Sequence, residues 1–482
     1  MKRLFRRNAP VVIASSILII LLVSVSLSLR QKMKSTKSGF PNWIAVGADQ
    51  QQQATFTVTP AQPLMDERLA ITVSGLPPRR SITIRARSRA HDRRYWQSAA
   101  IFTSDPNGFI DLAAQAPLSG TYSGADGMGL FWSMQPDVEP KEGESSFFAV
   151  GGWFEPIFSE IEAICDDHVV GSVRVERRFA APGTKAASVN ADGIMGVLYE
   201  PDDGRRHAGV IVLGGSEGGL GGPEGAMLAA RGFVALSLAY FGADGLPPTL
   251  QNIPIEYFGK AVRWMRSVPD VDPEAIALYG VSRGAEAALI AASTFPEIKA
   301  VVARSPSHVR WEGATANQLP GGSAWTYGGK PLRYVPIHIR AGFAVRYVWS
   351  IVTRTPVAFA PMFRDSLAHF DPAPAEIQVE RIHGPLLLLS GNDDQIWPSP
   401  WMSSLIFERL KRNRHPYSVE QVTYEGVGHW LPIAYEPTAG SRQNMKLRIG
   451  GTPEGTSKAQ ADAWPKIVRF LSTLPVRQAG GK

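Results

Sequence analysis

The sequence predicts an α/β fold with a mostly parallel, doubly wound sheet, preceded by an antiparallel β-region. After about residue 190, short apolar runs such as 210–213 and 276–279 alternate with helical patterns such as 284–293. Short apolar strands that alternate with helices are typical of a parallel sheet with helices on both faces. Between about residues 54 and 180, apolar residues instead recur largely at every second position, which is typical of antiparallel strands.

The composition of the chain excludes several other classes of protein. Of its 482 residues, 44% are hydrophobic and 19% are charged, so the chain can bury a sizeable core and is not expected to be disordered. Its 46 glycines show no G-X-Y repeat, which excludes collagen. The single cysteine, Cys165, cannot form an intrachain disulfide or a cysteine cluster around zinc or iron–sulfur. We expect it to be a small buried apolar residue.

The net charge of +7 does not predict a nucleic-acid partner, because the basic excess lies at the N-terminus. Residues 1–37 contain no acid and eight basic residues, namely Lys2, Arg3, Arg6, Arg7, Arg30, Lys32, Lys34 and Lys37. Without them the chain is close to neutral, and it has no basic stripe interleaved with aromatic residues. We therefore expect no binding to DNA or RNA.

Residues 8–29 form an uncharged, mostly apolar run that follows a basic N-terminus. As a helix, this run would extend about 33 Å, close to the thickness of a bilayer's hydrocarbon core. It ends without an A-x-A-like site, which favours an uncleaved anchor over a cleaved signal peptide, the alternative. Residues 1–30 therefore predict a single-pass membrane anchor with an extracytoplasmic catalytic part. Residues 31–53, with Lys, Ser, Gly and a run of Gln, predict a tether.

The segment 54–180 is expected to form an antiparallel β-sandwich. Runs such as 69–73 and 81–87 largely alternate apolar and polar residues, and turn sequences such as 75–78 separate them. Alternation with period two places one face of each strand in a core, and turns at this spacing are typical of a sandwich. We expect this segment to support the catalytic domain or to gate its substrate.

The segment 190–475 is expected to form the catalytic domain. Its predicted sheet is interrupted by one long stretch, residues 306–383, between the strand runs 300–303 and 386–389. This stretch is rich in Trp and Tyr, and an excursion of that length between two strands predicts a cap over a site.

A G-x-S-x-G pentapeptide, residues 280–284, lies directly after a predicted strand and directly before a predicted helix. In that context the glycines allow a sharp turn that lifts the serine side chain to the edge of the sheet. A serine hydroxyl is a weak nucleophile at neutral pH, so it needs a base and a third group that orients the base. The pattern predicts Ser282 as a nucleophile and requires an acid and a histidine downstream.

The acid and the histidine follow in the chain order that this strand–turn–helix motif requires. Asp394 lies in a turn directly after the apolar run 386–389, and His429 lies in a glycine-rich loop 35 positions later. We predict that Ser282, Asp394 and His429 form a catalytic triad with His429 as the base. Asp393 is the alternative acid, although its position also suits capping of the turn.

Two backbone N–H groups are expected to stabilise the oxyanion of an acyl-transfer intermediate. One belongs to Arg283, directly after the nucleophile. The other should come from the glycine-rich loop 214–219, where Ser216 is the predicted donor. A phosphate-binding role is disfavoured for this loop, because no G-K-[ST] follows and the G-x-G-x-x-G spacing is absent.

These features resemble the family of acyl-CoA thioesterases and bile-acid-CoA:amino-acid N-acyltransferases. The resemblance covers nearly everything after the tether and rests on motifs that match in order, namely 127–136, 238–241, 246–247, 280–284, 391–397 and 428–429. It implies an immunoglobulin-like β-sandwich joined to an α/β-hydrolase domain. It also carries the family's triad onto Ser282, Asp394 and His429. Arg283 stands where many members have lysine, a difference that keeps the charge.

The resemblance implies an enzyme that cleaves acyl thioesters such as acyl-CoA, or esters, without a metal or an organic cofactor. The serine nucleophile favours hydrolysis, because transferases of this family tend to use cysteine and water readily discharges a serine acyl-enzyme. Two alternatives stay open, namely acyl transfer to an amine or alcohol and a catalytically silent binding protein. An extracytoplasmic catalytic part would favour a thioester or ester other than acyl-CoA.

Overall fold

The computed structural model describes residues 54–138, 147–148, 155–315, 320–431, 433–444 and 447–477. The predicted anchor, residues 1–30, and the predicted tether, residues 31–53, lie outside these residues. In the part of the chain that is described, no helix is both long and apolar enough to cross a membrane. The longest described helix, Pro453–Leu471, has 19 residues and carries five charged side chains. The prediction of a single-pass membrane-anchored protein with an extracytoplasmic catalytic part is corrected on this finding.

Antiparallel strands form the N-terminal part of the described chain. They are β1 (Thr55–Thr59), β2 (Ala70–Ser74), β3 (Ser81–Arg89), β4 (Tyr95–Thr103), β5 (Ile110–Asp111), β6 (Ser119–Gly120), β7 (Gln135–Pro136), β8 (Ile157–Cys165) and β9 (His168–Arg177), with a short helix α1 (Gly129–Trp132). One sheet has the order β1-β2-β5, and the other has the order β6-β4-β3-β8-β9 with β7 paired to β4. In β3, Ile82, Ile84 and Ala86 are buried, so the predicted alternation places one face of this strand in a core.

The C-terminal part contains the remaining strands and helices of the described chain. The strands are β10 (Lys185–Ala191), β11 (Ile194–Glu200), β12 (His207–Leu213), β13 (Val234–Ala239), β14 (Ile253–Pro254), β15 (Val271–Val281), β16 (Ile298–Arg304), β17 (Glu312–Ala314), β18 (Pro320–Ser323), β19 (Trp325–Tyr327), β20 (Lys330–Pro331), β21 (Leu386–Gly391), β22 (Val419–Tyr424), β23 (Gln443–Asn444) and β24 (Leu447–Arg448). The helices are α2 (Glu224–Ala229), α3 (Ile255–Met265), α4 (Arg283–Thr294), α5 (Ala341–Thr353), α6 (Ala360–His369), α7 (Ser399–Arg412) and α8 (Pro453–Leu471), with 3₁₀ turns at Ala373–Ala375, Val379–Arg381 and Ala439–Arg442.

An eight-stranded sheet with the order β10-β11-β13-β12-β15-β16-β21-β22 is the centre of this part. The pairs from β13 to β22 are parallel, and β10, β11 and β13 pair antiparallel. Val210 and Val212 of β12 face α2, α8 and the N-terminal sheets, whereas Ile211 and Leu213 face α3, α4 and α7. Because strands covered on both faces are apolar throughout, the predicted α/β fold with a mostly parallel, doubly wound sheet is confirmed.

The parallel strands bring the loops of the site to one edge of this sheet. The neighbours β12, β15, β16 and β21 all run in the same direction, so the loops that follow them lie side by side. Ligands of open α/β sheets bind beyond this carboxyl edge. The chain between β16 and β21 also leaves the sheet here, and Trp311, Leu367 and Trp397 share a small hydrophobic core above it.

Asp66 connects the N-terminal part to the C-terminal part. Its carboxylate accepts hydrogen bonds from Arg231 at 2.6 and 2.8 Å and from the indole N–H of Trp464 at 2.7 Å. Replacing Asp66 with alanine leaves the Trp464 N–H unpaired and leaves Arg231 with the longer 3.3 Å contact to Glu67, so we expect the free energy of unfolding to fall by about 1–3 kcal/mol in denaturant titrations. Asp202→Ala removes an exposed, solvent-screened pair with Lys185 and should leave the free energy of unfolding nearly unchanged. Equal losses in the two variants would contradict a bridging role for Asp66.

Glu436 lies near the buried side chain of Arg177 at the junction of the two parts. Burial raises the pKa of Glu436 to about 8, Glu224 adds to the rise, and Arg177 opposes it. Between about pH 4.5 and 8 the folded protein therefore binds more protons than the unfolded chain, so its free energy of unfolding should fall as the pH rises. Glu436→Gln should flatten this decline in denaturant titrations across that range. An unchanged slope would show that Glu436 does not titrate in this way.

Candidate active site

Ser282 occupies a strained turn between β15 and α4. Its φ of +56° and ψ of −118° are rare for a residue with a side chain. A Cβ added at Gly280 would lie 2.3 Å from the carbonyl oxygen of Gly284, and one added at Gly284 would lie 2.2 Å from that of Gly214. Both contacts are with backbone, so the turn requires glycine on either side of the serine.

The structure brings the side chains of Ser282, His429 and Asp394 together. Nε2 of His429 lies 2.9 Å from Oγ of Ser282, and Nδ1 lies 2.9 Å from Oδ2 of Asp394. His429 and Asp394 are 8% and 7% exposed. The backbone carbonyl of His429 accepts a hydrogen bond from Oγ of Ser305 at 2.8 Å, and its N–H donates to the carbonyl of Ile449 at 2.9 Å. These contacts hold the imidazole at the sheet edge.

The two adjacent aspartates have different partners. Oδ1 of Asp394 accepts hydrogen bonds from the N–H groups of Ile396 at 3.0 Å and Trp397 at 3.2 Å, while Oδ2 contacts Ser399 in addition to His429. Asp393 accepts the N–H of Gly451 at 2.8 Å and contacts Gln395. Asp394 is therefore the aspartate beside the histidine, and Asp393 binds the loop before α8.

The loop after β12 forms the opposite side of the site. A Cβ added at Gly215 would lie 3.4 Å from Cβ of Ser282, so this glycine permits a close approach of the loop. Tyr240 donates its hydroxyl to the carbonyl of Gly214 at 2.8 Å and holds the loop from beneath. Arg283, the first residue of α4, follows the serine, and Ser216 is an exposed residue next to Gly215. The oxyanion roles of Arg283 and Ser216 stay predictions.

Glu217 is a side chain of this site that the sequence reasoning missed. Its Oε1 accepts the N–H of Gly215 at 2.7 Å, and the same Cβ position at Gly215 would lie 2.7 Å from its Oε2. The residue keeps contact with solvent, but its carboxyl turns back into the loop, and partial burial raises the pKa of Glu217. An acid inside a glycine-rich loop directly after a buried strand was the available signal in the sequence.

Aromatic side chains pack beside the histidine at the edge of the sheet. The Trp397 ring meets the His429 ring edge-on with centroids 5.6 Å apart, and its indole N–H donates to the carbonyl of Ser305 at 3.2 Å. Phe363 of α6 packs against Trp397 with centroids 5.7 Å apart. In the described ranges no cluster of three or more His, Cys, Asp or Glu residues could hold a metal ion.

Two family models match this chain, one in each part. The model of the acyl-CoA thioester hydrolase/BAAT N-terminal region matches residues 66–191. The model of the BAAT/acyl-CoA thioester hydrolase C terminus matches residues 253–474. The second match includes the serine, both aspartates and the histidine described above.

Relatives and one solved structure resemble the chain over much of its length. Acyl-coenzyme A thioesterase 1 of Rattus norvegicus is 29% identical over 447 residues, covering 89% of this chain and 98% of that protein. Acyl-coenzyme A thioesterase 6 of Mus musculus is 30% identical over 440 residues, covering 87% and 96%. A dienelactone hydrolase-like promiscuous phosphotriesterase from metagenomic libraries has a TM-score of 0.36 and 16% identity, covering 61% of this chain and 99% of that chain. The two family matches and the identity over most of both chains show that the protein belongs to the acyl-CoA thioester hydrolase/BAAT family.

Proposed function

We propose that this protein is a serine hydrolase that cleaves acyl-CoA-like thioesters through an acyl-enzyme on Ser282. The observation that carries the proposal is the position of the His429 imidazole, with one ring nitrogen 2.9 Å from Ser282 Oγ and the other 2.9 Å from Asp394 Oδ2. A base held between a nucleophile and an orienting acid can activate a serine hydroxyl. The thioester class is supported by the names of the relatives, which are acyl-coenzyme A thioesterases.

In the first half-reaction, Nε2 of His429 takes the proton of Ser282 while Oγ attacks the carbonyl carbon of the thioester. The N–H of Arg283 and a second N–H from the loop with Gly215 and Ser216 stabilise the tetrahedral oxyanion. Collapse of this intermediate breaks the C–S bond. His429 then gives the proton to the leaving thiolate, and Ser282 carries the acyl group.

In the second half-reaction, water replaces the thiol. His429 takes a proton from water, the hydroxide attacks the ester carbonyl, and collapse releases the free acid while the proton returns to Ser282. Asp394 keeps the proton on Nδ1 of His429 in both halves, so that Nε2 is free to act as the base. Each step uses a side chain already within hydrogen-bond distance of its neighbour.

The charge of the cap supports coenzyme A as the leaving group. Residues 330–364 contain six basic residues and no acid, namely Lys330, Arg333, Arg340, Arg346, Arg354 and Arg364. Of these, Arg340 pairs with Asp365 at 3.3 Å. Coenzyme A carries several phosphate charges, and a basic surface beside the site would attract such a substrate.

The domain organisation is part of this proposal. Residues 54–180 would form an immunoglobulin-like β-sandwich that supports the hydrolase domain, residues 190–475, with residues 306–383 as its cap. The two antiparallel sheets before residue 178 support the first assignment. The hydrogen bonds from Phe359 and Ala360 to the carbonyl of Gln395, one residue after Asp394, support a cap above the site.

A panel of acyl-CoAs and simple esters tests this function on the purified protein, with a thiol reagent that measures the release of free coenzyme A. We expect release of coenzyme A and free acid in equal amounts. A thiol-to-acid ratio above one in the presence of an added amine or alcohol would favour acyl transfer instead. Binding of acyl-CoA without any release would favour a catalytically silent protein and contradict the proposal.

A further inference from the structure

The side chain of Arg283 reaches the cap from the residue directly after the catalytic serine. It is 8% exposed, and its Nη2 donates to the backbone carbonyls of Trp311 and Glu312, each at 3.3 Å. Its Nη1 lies 2.9 Å from Oε2 of Glu286, one turn further along α4, whose side chain is completely buried. This approach is an ion-pair contact without an aligned hydrogen bond.

Glu286 in turn binds two separate segments of the cap. Its Oε1 accepts the indole N–H of Trp325 at 2.6 Å and the backbone N–H of Trp311 at 3.1 Å. Both tryptophans are completely buried. The pair of Arg283 and Glu286 therefore connects the helix that starts at the nucleophile to β19 and to the residue before β17.

Aromatic contacts continue from this pair to the catalytic histidine. Trp311 meets Phe363 with ring centroids 4.7 Å apart, Phe363 meets Trp397 at 5.7 Å, and Trp397 meets His429 at 5.6 Å. The contacts thus form a closed path that leaves the site at residue 283, passes through the cap and returns at His429. Because packed side chains have few alternative arrangements, a shift at one end is transmitted to the other.

The energetics of a buried ion pair favour a role in positioning. Removing two charges from water costs about as much as their attraction returns, so such a pair adds little stability compared with apolar residues of similar volume. However, the hydrogen bonds that Arg283 and Glu286 form with the cap are directional, and apolar packing cannot reproduce their geometry. The pair therefore constrains where the cap lies more strongly than it stabilises the fold.

We propose that Arg283 and Glu286 form a positioning pair that fixes the cap against the nucleophile turn and, through Trp311, Phe363 and Trp397, fixes the imidazole of His429. Their described polar contacts are with each other and with Trp311, Glu312 and Trp325, so the two side chains act through the geometry of the groups that react. This inference rests on the proposed hydrolase function.

Single variants in the whole protein test this role with acyl-CoA hydrolysis. Arg283→Met and Glu286→Gln should lower kcat by about 10–10²-fold, the cost of misplacing catalytic groups by up to about 1 Å, and change KM less than about threefold. Arg283→Lys keeps the charge beside Glu286 but loses the planar guanidinium that contacts Trp311 and Glu312, so its kcat should lie between those of Arg283→Met and the wild type. The control Arg231→Met removes a pair with Asp66 at the distant domain junction and should leave kcat unchanged.

A double variant separates positioning from stability. Arg283→Met with Glu286→Gln removes both charges but keeps an amide oxygen for the N–H groups of Trp311 and Trp325, so its melting temperature should lie closer to that of the wild type than that of Arg283→Met does, while kcat stays low. Wild-type kcat in this double variant would overturn the proposal. If the double variant does not fold, the single variant Glu286→Gln is measured instead, because it keeps the size and the acceptor oxygen of the side chain. Wild-type kcat in Glu286→Gln would then overturn the proposal.

The same experiments distinguish this inference from the proposed function. If the wild type releases no coenzyme A, or Ser282→Ala releases it as fast, the hydrolase mechanism fails. If the wild type is active and Ser282→Ala is inactive, but Arg283→Met and Glu286→Gln equal the wild type, only the positioning role fails.

Discussion

Replacing Ser282 with alanine is expected to lower kcat/KM for acyl thioesters by at least about 10³-fold. The substitution removes the oxygen that lies 2.9 Å from His429 Nε2 and would carry the acyl group. The loss should appear in kcat, because the N–H groups proposed to stabilise the oxyanion remain. Steady-state release of coenzyme A measures the loss of activity. Labelling with a radioactive acyl group tests whether the variant still forms an acyl-enzyme, and none is expected.

Ser293→Ala is the matched control for this prediction. Ser293 lies in α4, the helix that begins directly after Ser282, and its hydroxyl donates to the carbonyl of Ile290 at 2.9 Å. This change should leave kcat/KM unaltered. Activity that survives Ser282→Ala would contradict the mechanism and require another nucleophile. Cys165 is a poor candidate for that role, because it is buried at the end of β8 in the N-terminal part.

Replacing Asp394 with asparagine is expected to lower kcat by about 10³–10⁴-fold. The carboxylate lies 2.9 Å from Nδ1 of His429, and in the proposed mechanism it keeps the proton on that nitrogen so that Nε2 can act as the base. An asparagine amide can donate to Nδ1 and favour the opposite tautomer. The steady-state kcat of the purified variant, with its melting temperature as a check on folding, measures the effect.

Asp393→Asn is the matched control because the two acids are adjacent. Asp393 accepts the N–H of Gly451 at 2.8 Å, so its replacement should cost about 1 kcal/mol of stability and leave kcat within about tenfold of the wild type. Damage by the Asp393 change alone would contradict the assignment of Asp394. Equal damage by both changes at unchanged stability would show that the pair acts as a unit.

The alternation of apolar runs and helical patterns was enough to predict the central sheet. The predicted runs 210–213 and 276–279 lie inside β12 and β15, which pair in parallel as expected. Strands buried on both faces leave this signal because every position must be apolar. The turn at Ser282 was equally visible, because backbone contacts within 2.5 Å require glycine at both flanking positions.

The sequence distinguished Asp393 from Asp394 less clearly than it predicted the sheet and the turn at Ser282. Both acids follow the same strand, and their spacing to His429 differs by one residue. The conformation of the turn distinguishes the two acids. The N–H groups of Ile396 and Trp397 bind Oδ1 of Asp394, and its Oδ2 then faces Nδ1 of His429. Glu217 was missed for a related reason, because its orientation depends on how the glycine loop folds back.

The sequence by itself determined the α/β fold and the family, and it predicted the chain order of Ser282, Asp394 and His429, since each of these depends on local patterns and on chain order. Only the tertiary structure decided which aspartate meets His429, where Glu217 lies, and how Arg283 and Glu286 contact Trp311 and Trp325. The contact between Glu286 and Trp325 joins residues 39 positions apart, and that between Ser282 and His429 joins residues 147 apart. Such contacts depend on the packing of whole segments, which no local pattern encodes.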